Sequence, residues 1–230
     1  MYKGKRVIAI VPARGGSKGI PLKNLITFKD KSLIQRVSEV IKEIKEIDTA
    51  IVSTDNKDIA EEAQRFGLQV PFFRPCHLSG DLIGDVDVLI HALLESEKKY
   101  QLKYDIVMML QPTSPNRTSK DIYAALDKMI IGEFDSLWTI SKIDKKFHPL
   151  KQLSIKNNLI SYYDTNGAEI IARQQLSDLY YRNGIAYLIN RAILIEEKSI
   201  MGQKCGALLI DRYVSNIDNL EDIKLGELLS

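Results

Sequence analysis

The sequence predicts an α/β fold built on a doubly wound, mainly parallel sheet, and three observations carry that expectation. Short apolar runs alternate with spans of helical apolar spacing from the first residues to about Ile140. The first run, Val7-Ile8-Ala9-Ile10-Val11, opens directly into a loop of glycines and cations, as strands of such sheets do where they meet a ligand. Between about residues 142 and 181 the alternation gives way to a polar stretch, which reads as a hairpin-bearing excursion projecting from the sheet.

Taken in order, Val7 to Val11 is apolar at every position, as a strand covered on both faces requires. Leu33, Ile34, Val37, Val40, Ile41, Ile44 and Ile47 keep helical spacing and predict one amphipathic helix. Ala50 to Ser53 is the second strand, followed by a helix from Lys57 to Phe66 that Gly67 stops. Leu68 to Phe73 is extended again. Val86 to Leu94 is apolar almost all round and predicts a buried helix, with His91 inside it as a core residue whose polar atoms are satisfied. Ile106 to Leu110 is the next core strand; Ile122, Ala125, Leu126, Met129 and Ile130 mark a helix, and Ser136 to Ile140 a strand. Asn157-Asn158 and Asn166-Gly167 are turn signals within the excursion. With no repeat, linker or low-complexity tract, residues 1–230 read as one domain carrying 142–181 as an insertion.

Composition narrows the class. A chain of 230 residues, 45% hydrophobic and 27% charged, is long and apolar enough for a sizeable core under a soluble surface. A formal net charge of +2 lacks the basic excess of a nucleic-acid binder. No apolar run is long enough to cross a bilayer and no signal-peptide pattern opens the sequence. Cys76 and Cys205 are too few for a disulfide framework or a zinc site. They read as reduced packing residues, and a cytoplasmic location is expected.

The loop after the first strand holds Gly15, Gly16 and Gly19 with Arg14, Lys18 and Lys23, bracketed by Pro12 and Pro21. Glycines let backbone N–H groups approach a ligand and the cations supply charge, a combination suited to a polyphosphate. It is neither G-x-G-x-x-G nor G-x-x-x-x-G-K-[ST]. From the residues alone, an ordinary strand-to-helix turn with solvated charges is the competing reading.

From Val7 to Leu25 the chain resembles the opening of the acylneuraminate cytidylyltransferases, which make CMP-activated sialic-acid-type sugars. The likeness continues, in order, at Ile51-Val52-Ser53-Thr54-Asp55, Phe73-Arg74-Pro75, Leu110-Gln111-Pro112-Thr113-Ser114-Pro115, His148-Pro149-Leu150-Lys151, Arg173-Gln174-Gln175-Leu176, Arg182-Asn183-Gly184 and Asn216-Ile217-Asp218. The resemblance implies attack of the anomeric hydroxyl of a nonulosonic acid on the α-phosphorus of CTP, with pyrophosphate leaving. It also implies a need for Mg²⁺ or Mn²⁺, and a homodimer in which the excursion reaches the neighbouring copy. Nucleotidyl transfer to another acidic sugar or from another base is the nearest alternative; a binding protein that has lost catalysis is the more distant one.

Residue by residue, the resemblance implies that Arg14 and Lys23 bind the β- and γ-phosphates and steady the leaving group. Gly15, Gly16 and Ser17 would offer backbone N–H groups, Lys18 a phosphate contact or a solvated rim charge, and Asn24 a nucleotide contact. Arg74, with Ser79 and Gly80 of the Leu78-Ser79-Gly80-Asp81 loop, would frame the cytosine. Gln111, Asn183 and Tyr187 match sugar contacts, and Lys151 and Arg173 match residues that meet the sugar's carboxylate. Asp218 is implied as metal ligand or base. Its companion position in the family is a second aspartate, here Asn216, whose amide oxygen can still ligate but brings no charge. Gly206 and Ala207 follow Cys205 where some relatives carry two aromatics, which implies a roomier acyl pocket. Asp211 is a further acid nearby, and Asp55 reads either as a residue facing the site or as the cap of the helix beginning near Lys57.

Overall fold

The computed structural model describes residues 1–229; Ser230, the last residue of the expected domain, lies outside them. The strands are β1 (Val7–Pro12), β2 (Thr27–Phe28), β3 (Lys31–Ser32), β4 (Thr49–Ser53), β5 (Ile106–Met109), β6 (Ser136–Lys142), β7 (Leu153–Lys156), β8 (Leu159–Tyr162), β9 (Tyr180–Asn190) and β10 (Cys205–Leu209). The α-helices are α1 (Leu33–Lys42), α2 (Lys57–Arg65), α3 (Asp85–Tyr100), α4 (Ser119–Ile131), α5 (Arg191–Glu196) and α6 (Leu220–Leu229). Six strands form the central sheet in the order β10-β6-β9-β5-β1-β4. All its pairings are parallel except those of β9, which runs antiparallel to β5 and β6.

Alternate residues of each strand sort the core into two layers. Val7, Ala9 and Val11 of β1 and Ile106 and Met108 of β5 pack with Ile34, Val37 and Ile41 of α1, Ile59 and Ala63 of α2, and Ile122, Leu126 and Met129 of α4. Ile8, Ile10, Val107 and Met109 face the other way, against Leu89, Ala92 and Leu93 of α3 and Leu194 of α5. Helices on both faces make the sheet doubly wound, as the sequence predicts. Ser32 caps α1 by accepting from the Gln35 N–H, and Thr118 and Asp121 form a capping box at α4.

Several expectations change in detail. The apolar spacing that predicts one helix from Leu33 to Ile47 outruns α1, which ends at Lys42; Ile44 stays buried from the turn that follows. Leu68 to Phe73 meets the sheet at one residue only: Gln69 bridges to Ile51 of the edge strand β4, and beyond the stretch the Arg74 N–H returns to the Thr54 carbonyl at 2.7 Å. Residues 85–100 form a helix with one buried face, and Leu94 points outward. The Nδ1 atom of His91 is buried with no hydrogen-bond partner, and burial pushes the imidazole below its ordinary pKa. Asn56, not Asp55, caps α2, accepting from the Ile59 N–H at 3.0 Å.

The stretch between β6 and β9 contains short 3₁₀ turns and the β7–β8 hairpin, which pairs only with itself. Every residue of β7 and β8 is exposed. No helix among the described residues is long and apolar enough to cross a membrane.

Candidate active site

The parallel strands end their carboxyl termini along one edge of the sheet, and because β9 is antiparallel its first residues lie at that same edge. A cleft of about 650 Å³ opens there. On the β1–β4 side it is lined by Arg14, Ser17, Lys18, Lys23, Asn24, Arg74 and Gly80. On the β5–β9 side it is lined by Gln111, Thr113, Arg182 and Tyr187, and Asn216 and Asp218 complete the wall.

The glycine loop is tied down from two directions. The Gly15 N–H donates to Asp55 Oδ1 at 2.8 Å, and the buried Asn24 donates from Nδ2 to the Arg14 carbonyl at 3.1 Å. Gly15 therefore spends its N–H on Asp55, and Asn24 spends its amide on the loop backbone. Gly19 packs against the Asp218 carbonyl so closely that a Cβ would stand 2.5 Å from that oxygen, a position only glycine can fill. Ile20 and Ile217 share a small buried cluster with Phe28 and Leu33 beneath the loop. The Ile217 N–H also donates to Thr113 O at 2.9 Å. These contacts place the 216–218 segment beside Lys23, although nearly two hundred residues separate them in the chain.

The charges in the cleft are mostly paired. Arg14 Nη1 lies 2.9 Å from Asp81 Oδ1, and Lys18 Nζ 2.8 Å from Asp81 Oδ2. Lys18 and Arg14 hold the Asp81 carboxyl below the usual carboxylate range. Lys23 Nζ donates to Asp218 Oδ1 at 2.9 Å, and Asn216 Nδ2 to Asp218 Oδ2 at 3.3 Å. Arg74 is buried, donating from Nε to Ser53 Oγ at 3.1 Å and from Nη2 to the Ser53 carbonyl. Burial lowers its guanidinium to about 10, which leaves it charged at neutral pH.

On the other side of the cleft, β9 carries a bulge. Tyr187 pairs with Trp138 and Arg182 with Ile140, so the four residues 183–186 of β9 lie opposite Thr139 alone of β6. Gly184, at φ 76°, makes the turn, and a Cβ there would lie 2.3 Å from Ser114 Oγ. The carbonyls freed by the bulge are met by Arg117, which is fully enclosed. Its Nη2 donates to Gly184 O at 2.8 Å and Gln111 O at 2.7 Å, and its Nε to Ile185 O. Burial lowers this guanidinium to about 9. One side chain thus joins the end of β5, where Gln111 sits, to the bulge that aims Tyr187.

Other predicted positions fall outside the cleft. Asn183 is fully buried: its Oδ1 accepts from Thr139 Oγ1 at 2.7 Å and its Nδ2 donates to Ser141 Oγ at 3.1 Å. That amide is consumed inside the sheet, and Asn183 does not line the cleft. Lys151 and Arg173 lie on the excursion. Arg173 lines a separate depression with Lys142 and Lys145 and pairs with Asp144 at 3.4 Å. Gly16 and Ser79 line a side pocket that adjoins the glycine loop. Asp211 lines a distant surface hollow, and Gly206 packs on the Phe134 ring instead of bounding an acyl pocket.

Asp81, Asp85 and Arg182 line the cleft and were not singled out by the sequence. Arg182 sits inside the matched stretch Arg182-Asn183-Gly184, and that was the available signal; Asp81 is the last residue of the Leu78–Asp81 loop.

The profile of the cytidylyltransferase family matches residues 8–221. The chain belongs to that family. Among its relatives, the CMP-N,N'-diacetyllegionaminic acid synthase of Legionella pneumophila is 30% identical over 217 residues, covering 93% of this chain and 90% of that one. The pseudaminic acid cytidylyltransferase of Campylobacter jejuni is 28% identical over 223 residues, covering 96% and 95%. Among solved structures, a CMP:2-keto-3-deoxy-manno-octonic acid synthetase complexed with CTP superposes with a TM-score of 0.70 at 17% identity, covering 97% of this chain and 98% of that one. That likeness shows a shared fold.

Proposed function

We propose that the chain transfers the cytidylyl group of CTP to the anomeric hydroxyl of a nonulosonic acid of the legionaminate, pseudaminate or N-acylneuraminate kind. The new bond joins the sugar oxygen to the α-phosphorus, the bond from that phosphorus to the β-phosphate oxygen breaks, and pyrophosphate leaves. The carrying observation is the division of the cleft: Arg14, Lys18 and Lys23 gather on the β1 side, while Gln111 and Tyr187 line the β5–β9 side. Two anionic reactants need such a division, since the protein must align them and steady the charge that grows on the departing pyrophosphate.

Arg14 offers a planar fork to two phosphate oxygens and Lys23 a compact charge. Gly16 offers a backbone donor and Ser17 its hydroxyl, because the Ser17 N–H turns back to the Gly15 carbonyl at 3.0 Å and the Gly15 N–H serves the loop through Asp55. Arg74, fixed by Ser53, stands with Ser79 and Gly80 at the base. Gln111 and Tyr187 stand at the sugar.

Asp218 and Asn216 present hard oxygen atoms two residues apart, which suits Mg²⁺ or Mn²⁺. No cluster of three His, Cys, Asp or Glu side chains among the described residues could hold a metal alone. The pair therefore fits a metal whose other ligands are phosphate and water. Held by Asp218 and Asn216, such an ion would supply positive charge to offset that of the triphosphate.

A second copy of the chain covers the hairpin and receives Lys151 and Arg173, which stand outside their own cleft. The face formed by Leu153, Ile155, Ile160 and Tyr162 is apolar and exposed, as a surface meant for a partner is.

The test is pyrophosphate release with CTP and Mg²⁺ across a panel of nonulosonic acids, with the other three nucleoside triphosphates as controls. Release with CTP and at least one acid is expected. Release with another triphosphate in preference to CTP, or none with any acid, would overturn the reading.

A further inference from the structure

Five cationic side chains line the cleft against three carboxylates: Arg14, Lys18, Lys23, Arg74 and Arg182 against Asp81, Asp85 and Asp218. Four of the five are held by the chain itself, by Asp81, Asp218 or Ser53. Arg182 is different. Among the described residues its side chain has neither an ion pair nor a hydrogen bond, and its guanidinium packs against two rings. Its central carbon is 5.1 Å from the centroid of Trp138 and 5.7 Å from that of Tyr187.

Both rings are themselves fixed. Trp138 Nε1 donates to Ile200 O at 2.9 Å, and the Tyr187 hydroxyl accepts from the Gly184 N–H at 2.8 Å. The rings meet edge to face at 72° with centroids 5.7 Å apart. Aromatic packing thus places the guanidinium at low entropic cost while leaving its N–H donors unspent.

We infer that Arg182 binds the carboxylate of the acceptor acid, from the same chain that supplies the cleft. The inference rests on the transfer reaction proposed above. Strand order argues for the acceptor over the nucleotide: β9 lies two strands from β1, about 10 Å at the usual spacing, so Arg182 stands away from the Arg14–Lys18 phosphate side. A planar guanidinium matches a carboxylate with two parallel bonds. In a 2-keto acid sugar that carboxylate is bonded to the anomeric carbon, so holding it also fixes the attacking hydroxyl. Lys151 and Arg173 lie outside this cleft, which leaves Arg182 as the carboxylate ligand supplied in cis.

The experiment combines substrate and side-chain changes. Wild type, Arg182→Gln and Arg182→Lys are assayed for pyrophosphate release with an accepted acid and with its methyl ester, which keeps the sugar and removes the charge. Trp138 is the only tryptophan, so its fluorescence follows acceptor binding separately from turnover, and thermal melting checks the fold. In Arg182→Gln the KM for the acid should rise roughly tenfold to a hundredfold, with the KM for CTP within about twofold. Wild type should discriminate acid from ester by a similar factor, Arg182→Gln should not, and Arg182→Lys should fall between. An unchanged acid KM in Arg182→Gln, or retained discrimination, overturns the inference while leaving the transfer reaction standing. If no acid is turned over but acids change Trp138 fluorescence in wild type and not in Arg182→Gln, the transfer reading fails and the carboxylate site stands. Neither turnover nor a fluorescence response with any acid overturns both.

Discussion

The cleft and the excursion are built on opposite terms. In the cleft, charged side chains are paired with partners from the same chain: Arg14 and Lys18 with Asp81, Lys23 with Asp218, Arg74 with Ser53. In the excursion, the β7–β8 hairpin leaves apolar side chains in water, Ile155 at 73% exposure and Ile160 at 67%. Folding of one chain accounts for the first region and not for the second. Changes in the cleft should therefore register within a single chain, in its stability or chemistry. Changes in the hairpin should register mainly between chains.

The largest effect is expected where the cleft meets the core. Arg117→Leu removes the donor shared by Gln111, Gly184 and Ile185; the enclosed Gly184 and Ile185 carbonyls lose it, and the Gln111 carbonyl keeps only the Ser114 N–H at 3.3 Å. Unfolding free energy should drop on the order of 3–5 kcal/mol, measured by denaturant melting. A loss below about 1 kcal/mol would mean that the bulge stands without Arg117. Next comes Lys23→Ala, which breaks one ion pair, to the exposed Asp218, and so should leave stability nearly intact. It should lower turnover about a hundred- to a thousandfold, by removing charge that counts most as pyrophosphate departs. Near-normal kcat would take Lys23 out of the proposed mechanism.

The hairpin gives the reverse pattern. Ile155 and Ile160 face each other across β7 and β8. Changing both to Ser should alter the stability of the isolated chain by less than about 0.5 kcal/mol while shifting light-scattering mass from dimer to monomer. A mass equal to one chain in the wild type would remove the partner from the picture.

What the sequence made legible follows the same division. β1 and its loop could be read because a continuous apolar run, glycines and bracketing prolines are local signals. Helices α1, α2 and α4 showed their spacing because each buries one face. The antiparallel strand β9 could not be read: Asn183 and Gly184 look like loop residues, and only Thr139 and Ser141, some forty residues away, make a buried amide tolerable there. The burial of Asn183 is hidden for the same reason, since no local signal says which way an amide turns. Asp81 was passed over because its role depends on two loops meeting across the mouth of the cleft. Arg182 stands within the matched stretch Arg182-Asn183-Gly184, but the freedom of its guanidinium is visible only once every neighbour is placed.

Asp81 gives the smallest expected effect and separates two meanings of the pairing in the cleft. Its carboxylate occupies the cations proposed for the triphosphate, Arg14 at 2.9 Å and Lys18 at 2.8 Å. Either it holds them in position for the nucleotide, or it competes with the nucleotide for them. The exposure of Lys18 and of the loop favours competition, because a solvated ion pair holds little. Asp81→Asn should then lower the KM for CTP about two- to fivefold at low ionic strength, and the difference should fade in high salt as the charges are screened. Lys18 and Arg14 keep the Asp81 carboxyl below the ordinary carboxylate range. It therefore stays ionised throughout neutral and mildly acidic pH, and the ratio of variant to wild-type KM should be flat between about pH 6 and 8. A raised KM in Asp81→Asn would mean that the carboxylate positions Arg14 and Lys18, and the cleft would be preorganised by its own anion.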